Sequence, residues 1–232
     1  MKKQIKSPFF EVGPKAYLYG REALHLAKIA QEASAETGVT VIYTPQLTDL
    51  RLIREHTSGL ILCAQHMDPI PAGRGQGSIL PEAVKDAGAD AVMLNHCEKP
   101  LTMEKIALAV KRAAELEMLS IVCASSCKEA AMAALLSPDI VVVEPTELIG
   151  TGVTSDVELV QASNQAVREI NAGVQVLQGA GISTPEDVYR AIYAGADATG
   201  SSSAVCKAAD PGKMLREMLK AVAQAYHDRK CE

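Results

Sequence analysis

The stretch Ala198-Thr199-Gly200-Ser201-Ser202-Ser203 decides the architecture of this chain. Upstream of it, seven apolar runs read as strands: Phe9–Val12, Val39–Tyr43, Leu60–Ala64, Ala91–Leu94, Ile121–Ala124, Ile140–Val143 and Val174–Leu177. Most are bounded by Gly, Pro or Asp. Helical patterns alternate with them at Arg21–Glu36, Gln46–His56, Leu80–Ala87, Met103–Glu117, Lys128–Leu136, Val157–Ile170 and Pro185–Ala194, and Lys213–Tyr226 closes the chain. Thr102 with Lys105, and Thr184-Pro185-Glu186-Asp187, carry the residues expected where helices start. Strands that are apolar on both faces, each followed by a helix, form a parallel sheet under helical cover, either open and doubly wound or closed into a barrel. An eighth strand closes it. Residues 198–203 are the candidate, small and polar where the other seven strands are branched and apolar. Read as a strand, they complete a (β/α)8 barrel over residues 1–232. Small residues at that place have a use, because barrels of this type bind phosphate in the loops after strands seven and eight, where backbone amides must approach an anion. Gly179-Ala180-Gly181-Ile182-Ser183 follows strand seven and fits the same role. Together they predict a phosphorylated ligand.

Composition limits the alternatives. A chain of 232 residues, 48% of them hydrophobic, can bury one large core, so one barrel domain is expected. The net charge of −5, with Lys and Arg scattered among Asp and Glu, leaves no basic stripe for nucleic acid. Pro8 and Glu11 interrupt the basic start before any apolar stretch long enough for a signal peptide or membrane helix, and a cytoplasmic location is expected. Cys63, Cys97, Cys123, Cys127, Cys206 and Cys231 lack paired spacing, as expected of reduced thiols, and predict neither disulfides nor zinc.

Two strings carry the chemistry. Leu94-Asn95-His96-Cys97-Glu98 follows strand four, and Val143-Glu144-Pro145 follows strand six and runs into Glu147-Leu148-Ile149-Gly150-Thr151-Gly152. A lone imidazole and a lone carboxylate thus stand at the C-terminal ends of two strands, the end at which barrel enzymes do their chemistry. Taken singly, His96 reads equally well as a histidine packed under a helix, and Glu144 as a helix-capping carboxylate. Taken together, they read as the acid and base of an isomerase. Ile149-Gly150-Thr151-Gly152 reads as a lid, with glycines that let a loop swing and amides that close on an anion. Cys97 beside His96 is not read as a nucleophile, since nothing nearby suggests covalent chemistry.

The chain resembles the triosephosphate isomerase family, in its short archaeal-like form. Ala64-Gln65-His66, Asp68-Pro69, Ile79-Leu80-Pro81-Glu82-Ala83, Asn95-His96-Cys97-Glu98, Glu144 to Gly152, Gly179 to Ser183 and Lys207-Ala208 are similar to family segments and stand in the family order. The resemblance implies interconversion of a ketose and an aldose phosphate, dihydroxyacetone phosphate and glyceraldehyde 3-phosphate, through an enediolate. It implies Glu144 as the base, His96 as a neutral electrophile, Lys15 as the cation beside the phosphate and Glu98 as the partner that holds Lys15. Phosphate contacts would come from the amides of Ile149, Gly181, Ser202 and Ser203. No cofactor or metal is implied. A homodimer or homotetramer is, and loop three (Asp68 to Ser78), Gly-rich and flanked by Met67, suits insertion into a partner subunit.

The departures from the family are concentrated. Gly13 replaces the Asn of the strand-one Asn-x-Lys segment, so an amide that would bond the substrate is missing. Gln76 replaces the third-loop Thr that normally reaches the neighbouring subunit near that Asn. Gln76 of one chain is therefore expected to enter the space left at Gly13 of its partner. Cys97 replaces a Ser, Thr146 a Pro at the lid hinge, and Ser201–Ser203 a more apolar strand. These changes keep open a longer or differently substituted ketose phosphate as substrate, and a non-catalytic sugar-phosphate-binding barrel as the remaining alternative.

Overall fold

The sheet closes. The computed structural model describes residues 2–145, 157–179 and 181–231. Its strands β1 (Phe9–Val12), β2 (Thr40–Tyr43), β3 (Ile61–Ala64), β4 (Ala91–Leu94), β5 (Leu119–Ala124), β6 (Ile140–Val143), β7 (Gln175–Gln178) and β8 (Ala198–Ser201) form one parallel barrel in chain order. Closure is made by β8, which pairs with β1 from Phe9↔Ala198 to Val12↔Ser201 and with β7 at Leu177↔Ala198 and Gln178↔Thr199. The small residues of β8 have a packing reason. A Cβ at Gly200 would stand 2.9 Å from the backbone oxygen of Glu11 and 3.0 Å from its Cβ, so β8 can lie this close to β1 only with glycine there. The polar side chains are also accommodated, since Thr199 Oγ1 donates to the carbonyl of Gln178 at 2.7 Å and Ser201 Oγ to that of Ile182 at 3.1 Å.

Side chains alternate along each strand between the barrel interior and the helices outside. In β1, Phe9 joins Ile42, Ile61, Cys63, Ile121 and Ile140 in the interior cluster. Phe10 and Val12 face outward into the larger cluster beneath the helices. Glu11, of the same parity as Phe9, therefore points inward, and it is 8% exposed.

Among the described residues the helical cover consists of α1 (Gly20–Thr37), α2 (Leu50–His56), α3 (Pro81–Asp86), α4 (Met103–Glu115), α5 (Cys127–Ala134), α6 (Val157–Ile170), α7 (Pro185–Tyr193), α8 (Ser203–Cys206) and α9 (Pro211–Cys231). The expected caps are present. Thr102 accepts from the amide of Lys105, and Thr184 forms a capping box with Asp187. Boundaries differ where side chains intervene. The helix expected over Gln46–His56 begins as a 3-10 turn at Leu47–Asp49, because Gln46 stays extended and turns its amide to the carbonyl of Lys15 at 2.7 Å. The helix expected to reach Glu117 stops at Glu115, and Glu117 takes φ 53. The strand expected to run to Ser203 ends at Ser201, and Ser202 turns the chain into α8.

At the N-terminal end of the barrel one device recurs. Asp90, Asp139 and Asp197 precede β4, β6 and β8, and each carboxylate accepts an amide of the preceding strand: Leu62 at 3.0 Å, Ser120 at 2.7 Å and Val176 at 2.9 Å. Lys3, Lys2 and Arg168 pair with them in turn. This end is built for stability, and it leaves the opposite mouth to chemistry. No helix of the described residues is long and apolar enough to cross a membrane.

Candidate active site

A cavity of about 510 Å³ opens at the C-terminal mouth of the barrel. Lys15, His96, Glu98, Glu144, Gly181, Ser202 and Ser203, all singled out in the sequence, line it, and so do Glu11, Thr44 and Gln65. Ile149, the expected lid over 149–152 and the hinge at Thr146 lie outside the described residues.

Lys15 is placed by a sharp bend after β1. Its φ is 48, and its carbonyl accepts from Gln46 Nε2 at 2.7 Å and Gln65 Nε2 at 3.1 Å. These two amides hold a backbone conformation that a lysine rarely adopts. The ammonium pairs with Glu98 Oε1 at 2.8 Å. Burial works against the ammonium, but the hydrogen bond and charge of Glu98, helped by Glu144, outweigh it and hold the Lys15 pKa above the ordinary lysine value. The bond to Lys15 likewise holds Glu98 below the usual carboxylate range.

His96 follows a second bend. Asn95 takes φ 58, its Nδ2 donates to the carbonyl of Cys123 at 3.0 Å, and its Oδ1 accepts from the amide of Leu101 at 2.9 Å. The amide of Glu98 donates to His96 Nδ1 at 3.1 Å. With Nδ1 an acceptor, a neutral ring carries its proton on Nε2. Burial first, then the charge of Lys15, lowers the His96 pKa and favours that neutral ring. Nε2 faces Glu144 Oε2 at 3.6 Å, beyond hydrogen-bond length, with both side chains largely buried.

Glu144 extends the line of β6, and its amide donates to Ala124 at 2.9 Å. Gly179 lies beside it, where a Cβ would be in ordinary contact with Glu144, at 3.4 Å from its Cβ, and tight only against Val142 Cγ1 at 3.1 Å. Burial pushes the Glu144 pKa up, with Lys15 opposing and Glu98 adding to the rise. Burial and Glu144 likewise keep Cys97 above the usual thiol value, which agrees with its dismissal as a nucleophile.

Glu11 is the residue that sequence reasoning passed over. Its carboxyl stands where a side chain at position 13 would begin: a Cβ at Gly13 would lie 2.9 Å from Glu11 Oε1 and 3.0 Å from Ser202 Oγ. The Glu11 carboxyl thus takes up, from within the same chain, part of the space left by the missing Asn. Thr44 Oγ1 donates to Glu11 Oε1 at 2.5 Å. Burial, opposed by the Thr44 bond and reinforced by Glu144, pushes its pKa from 4.5 up to about 7. The available signal was a single ionisable residue at an inward position of an otherwise apolar strand.

An N–H donor and a buried carboxylate facing each other across a cavity, with a fixed ammonium beside them, are the groups that a barrel enzyme moving protons on a small anionic molecule would need. The family model described as triosephosphate isomerase matches residues 14–222. The chain is similar to the triosephosphate isomerase of Methanothermus fervidus, 43% identical over 203 residues, covering 86% of this chain and 91% of that protein. That of Methanocaldococcus jannaschii is 40% identical over 204 residues, covering 87% and 93%. That of Metallosphaera sedula is 37% identical over 229 residues, covering 97% and 100%. The chain belongs to the triosephosphate isomerase family.

Proposed function

We propose that this protein interconverts dihydroxyacetone phosphate and glyceraldehyde 3-phosphate through an enediolate. Glu144 takes the proton from the carbon beside the carbonyl. His96, neutral, donates from Nε2 to the carbonyl oxygen and then moves protons between the two oxygens. Lys15, fixed by Glu98, supplies positive charge for the phosphate and the developing oxyanion. The amides of Gly181, Ser202 and Ser203, at the ends of strands seven and eight, take the phosphate with that of Ile149. The observation that carries this reading is the 3.6 Å approach of His96 Nε2 to Glu144 Oε2 over a cavity that Lys15 also enters. A coupled assay from either triose phosphate is expected to show rapid turnover without added metal or cofactor. No turnover in either direction would overturn the reading.

The protein is further proposed to work as a homodimer or homotetramer. Residues 71–78 of loop three stand exposed, as a segment received by another subunit would. Met67 does not take part, because it is fully buried in its own chain's core. A mass in solution that is a multiple of the 24.6 kDa chain is expected from light scattering. The six free cysteines suit a reducing, cytoplasmic setting.

A further inference from the structure

We propose that Glu11 is a substrate-contacting, specificity-determining residue: its carboxyl group, seated in the space left open by Gly13, bonds an oxygen of the sugar phosphate in place of the amide that the family carries there. The inference rests on the proposed isomerase reading and deepens it.

Three observations converge on this role. The first is position. Glu11 lines the same cavity as Lys15, His96 and Glu144, and its Oε1 is 2.9 Å from where a Cβ at Gly13 would be. The second is accommodation. Gly13 and Gly200 leave the room that the carboxyl occupies, since a Cβ would approach Glu11 Oε1 to 2.9 Å at Gly13 and Oε2 to 3.0 Å at Gly200. The third is bonding capacity. Oε1 is engaged by Thr44 Oγ1, so in the neutral acid the proton falls on Oε2, the oxygen left to donate. A carboxylic acid kept neutral in an apolar site is a strong donor to an oxygen that gains negative charge during proton abstraction.

The surroundings keep Glu11 protonated at acidic pH, up to about pH 7. Lys15 is the cation acting on it, and its charge is shared with Glu98 and Glu144. Glu144 acts against Glu11 ionisation. Cys63, Cys123 and Cys206, which sense the Glu11 charge from β3, β5 and α8, are all held as thiols by burial. Ser202 is near but does not titrate.

The test compares kcat/KM between pH 6 and 8.5 for wild type, Glu11→Gln and Gly13→Asn. Ionisation near pH 7 would remove the donor, so the wild-type value, divided by that of Glu11→Gln to cancel substrate ionisation, should fall up to about thirtyfold over this range. Gly13→Asn must push the carboxyl aside and should displace the same alkaline limb. Melting temperature gives a readout without substrate. A folded-state pKa of about 7 against an ordinary 4.5 contributes stability present below pH 4.5 and lost as pH rises through 7. The melting temperature of Glu11→Gln should therefore gain on wild type by several degrees between pH 5 and 8. Unchanged pH profiles in both variants, in an enzyme that does turn over triose phosphate, would overturn the role of Glu11 and leave the isomerase reading intact. No turnover by wild type at any pH would overturn both.

Discussion

Glu144→Gln is expected to lower kcat for triose phosphate interconversion by roughly a thousandfold, inside the 10²–10⁴-fold that a positioned acid or base contributes, with KM changed by only a few-fold. The reason lies in what the substitution keeps. Glutamine preserves the volume beside Gly179 and the backbone bond to Ala124, so the pocket retains its shape. It replaces the carboxylate proposed to take the proton from carbon with an amide that is not basic. Burial raises the basicity of the Glu144 carboxylate, Lys15 opposes the rise and Glu98 adds to it. The balance makes it a stronger base than a surface glutamate. The same balance fixes the acid limb of wild-type activity. As pH falls through the raised Glu144 value the base becomes protonated, and activity should decline at a pH above the ordinary carboxylate range. Steady-state kinetics in both directions, with exchange of solvent deuterium into the substrate, checks the prediction. A variant that retains more than a tenth of the turnover, or that still exchanges at the wild-type rate, would show that the base is elsewhere.

The contrast between Glu144 and Glu11 shows what a sequence discloses. Glu144 was legible because it breaks an apolar run at the C-terminal end of a strand, where a barrel exposes its residues, and because His96 does the same two strands earlier. Glu11 also interrupts an apolar run, Phe9-Phe10-Glu11-Val12, but only inward parity and the absent side chains at Gly13 and Gly200 bring it to the mouth. Those relations cross from β1 to β8, nearly two hundred residues away, and no local pattern carries them. Closure by β8 was legible only through counting, since Ala198-Thr199-Gly200-Ser201 lacks strand character. Its smallness reflects the approach of the Glu11 backbone to Gly200, a contact that exists only once the barrel has closed. Gln46 belongs with Glu11. Its position resembles a helix start, and its amide is instead spent on the Lys15 carbonyl, which shortened the expected helix while fixing the left-handed bend that aims the ammonium.

His96→Gln is the second substitution with a large expected effect, a fall in kcat of roughly 10²–10³-fold, the size seen when one donor to a developing oxyanion is removed. The amide can still donate a bond to the carbonyl, so ground-state binding should change little. It cannot pass protons between neighbouring oxygens, so the loss should appear in turnover. The neutrality of the ring is as important as its presence. An imidazolium 3.6 Å from the Glu144 carboxylate would draw that oxygen into an ion pair, lower its basicity and hold the base away from carbon. The amide of Glu98, by donating to Nδ1, and Lys15, by opposing a second positive charge, both work against that outcome. The ring of wild type, followed by nitrogen chemical shifts, is therefore expected to titrate below 6.5 with Nε2 carrying the proton above that point. A ring that is charged at neutral pH, or a glutamine variant with near wild-type turnover, would contradict the assignment. It would also leave the Glu98 amide bond to His96 Nδ1 without its proposed purpose, since the Glu98 carboxylate, paired with Lys15, by its charge alone favours a protonated ring.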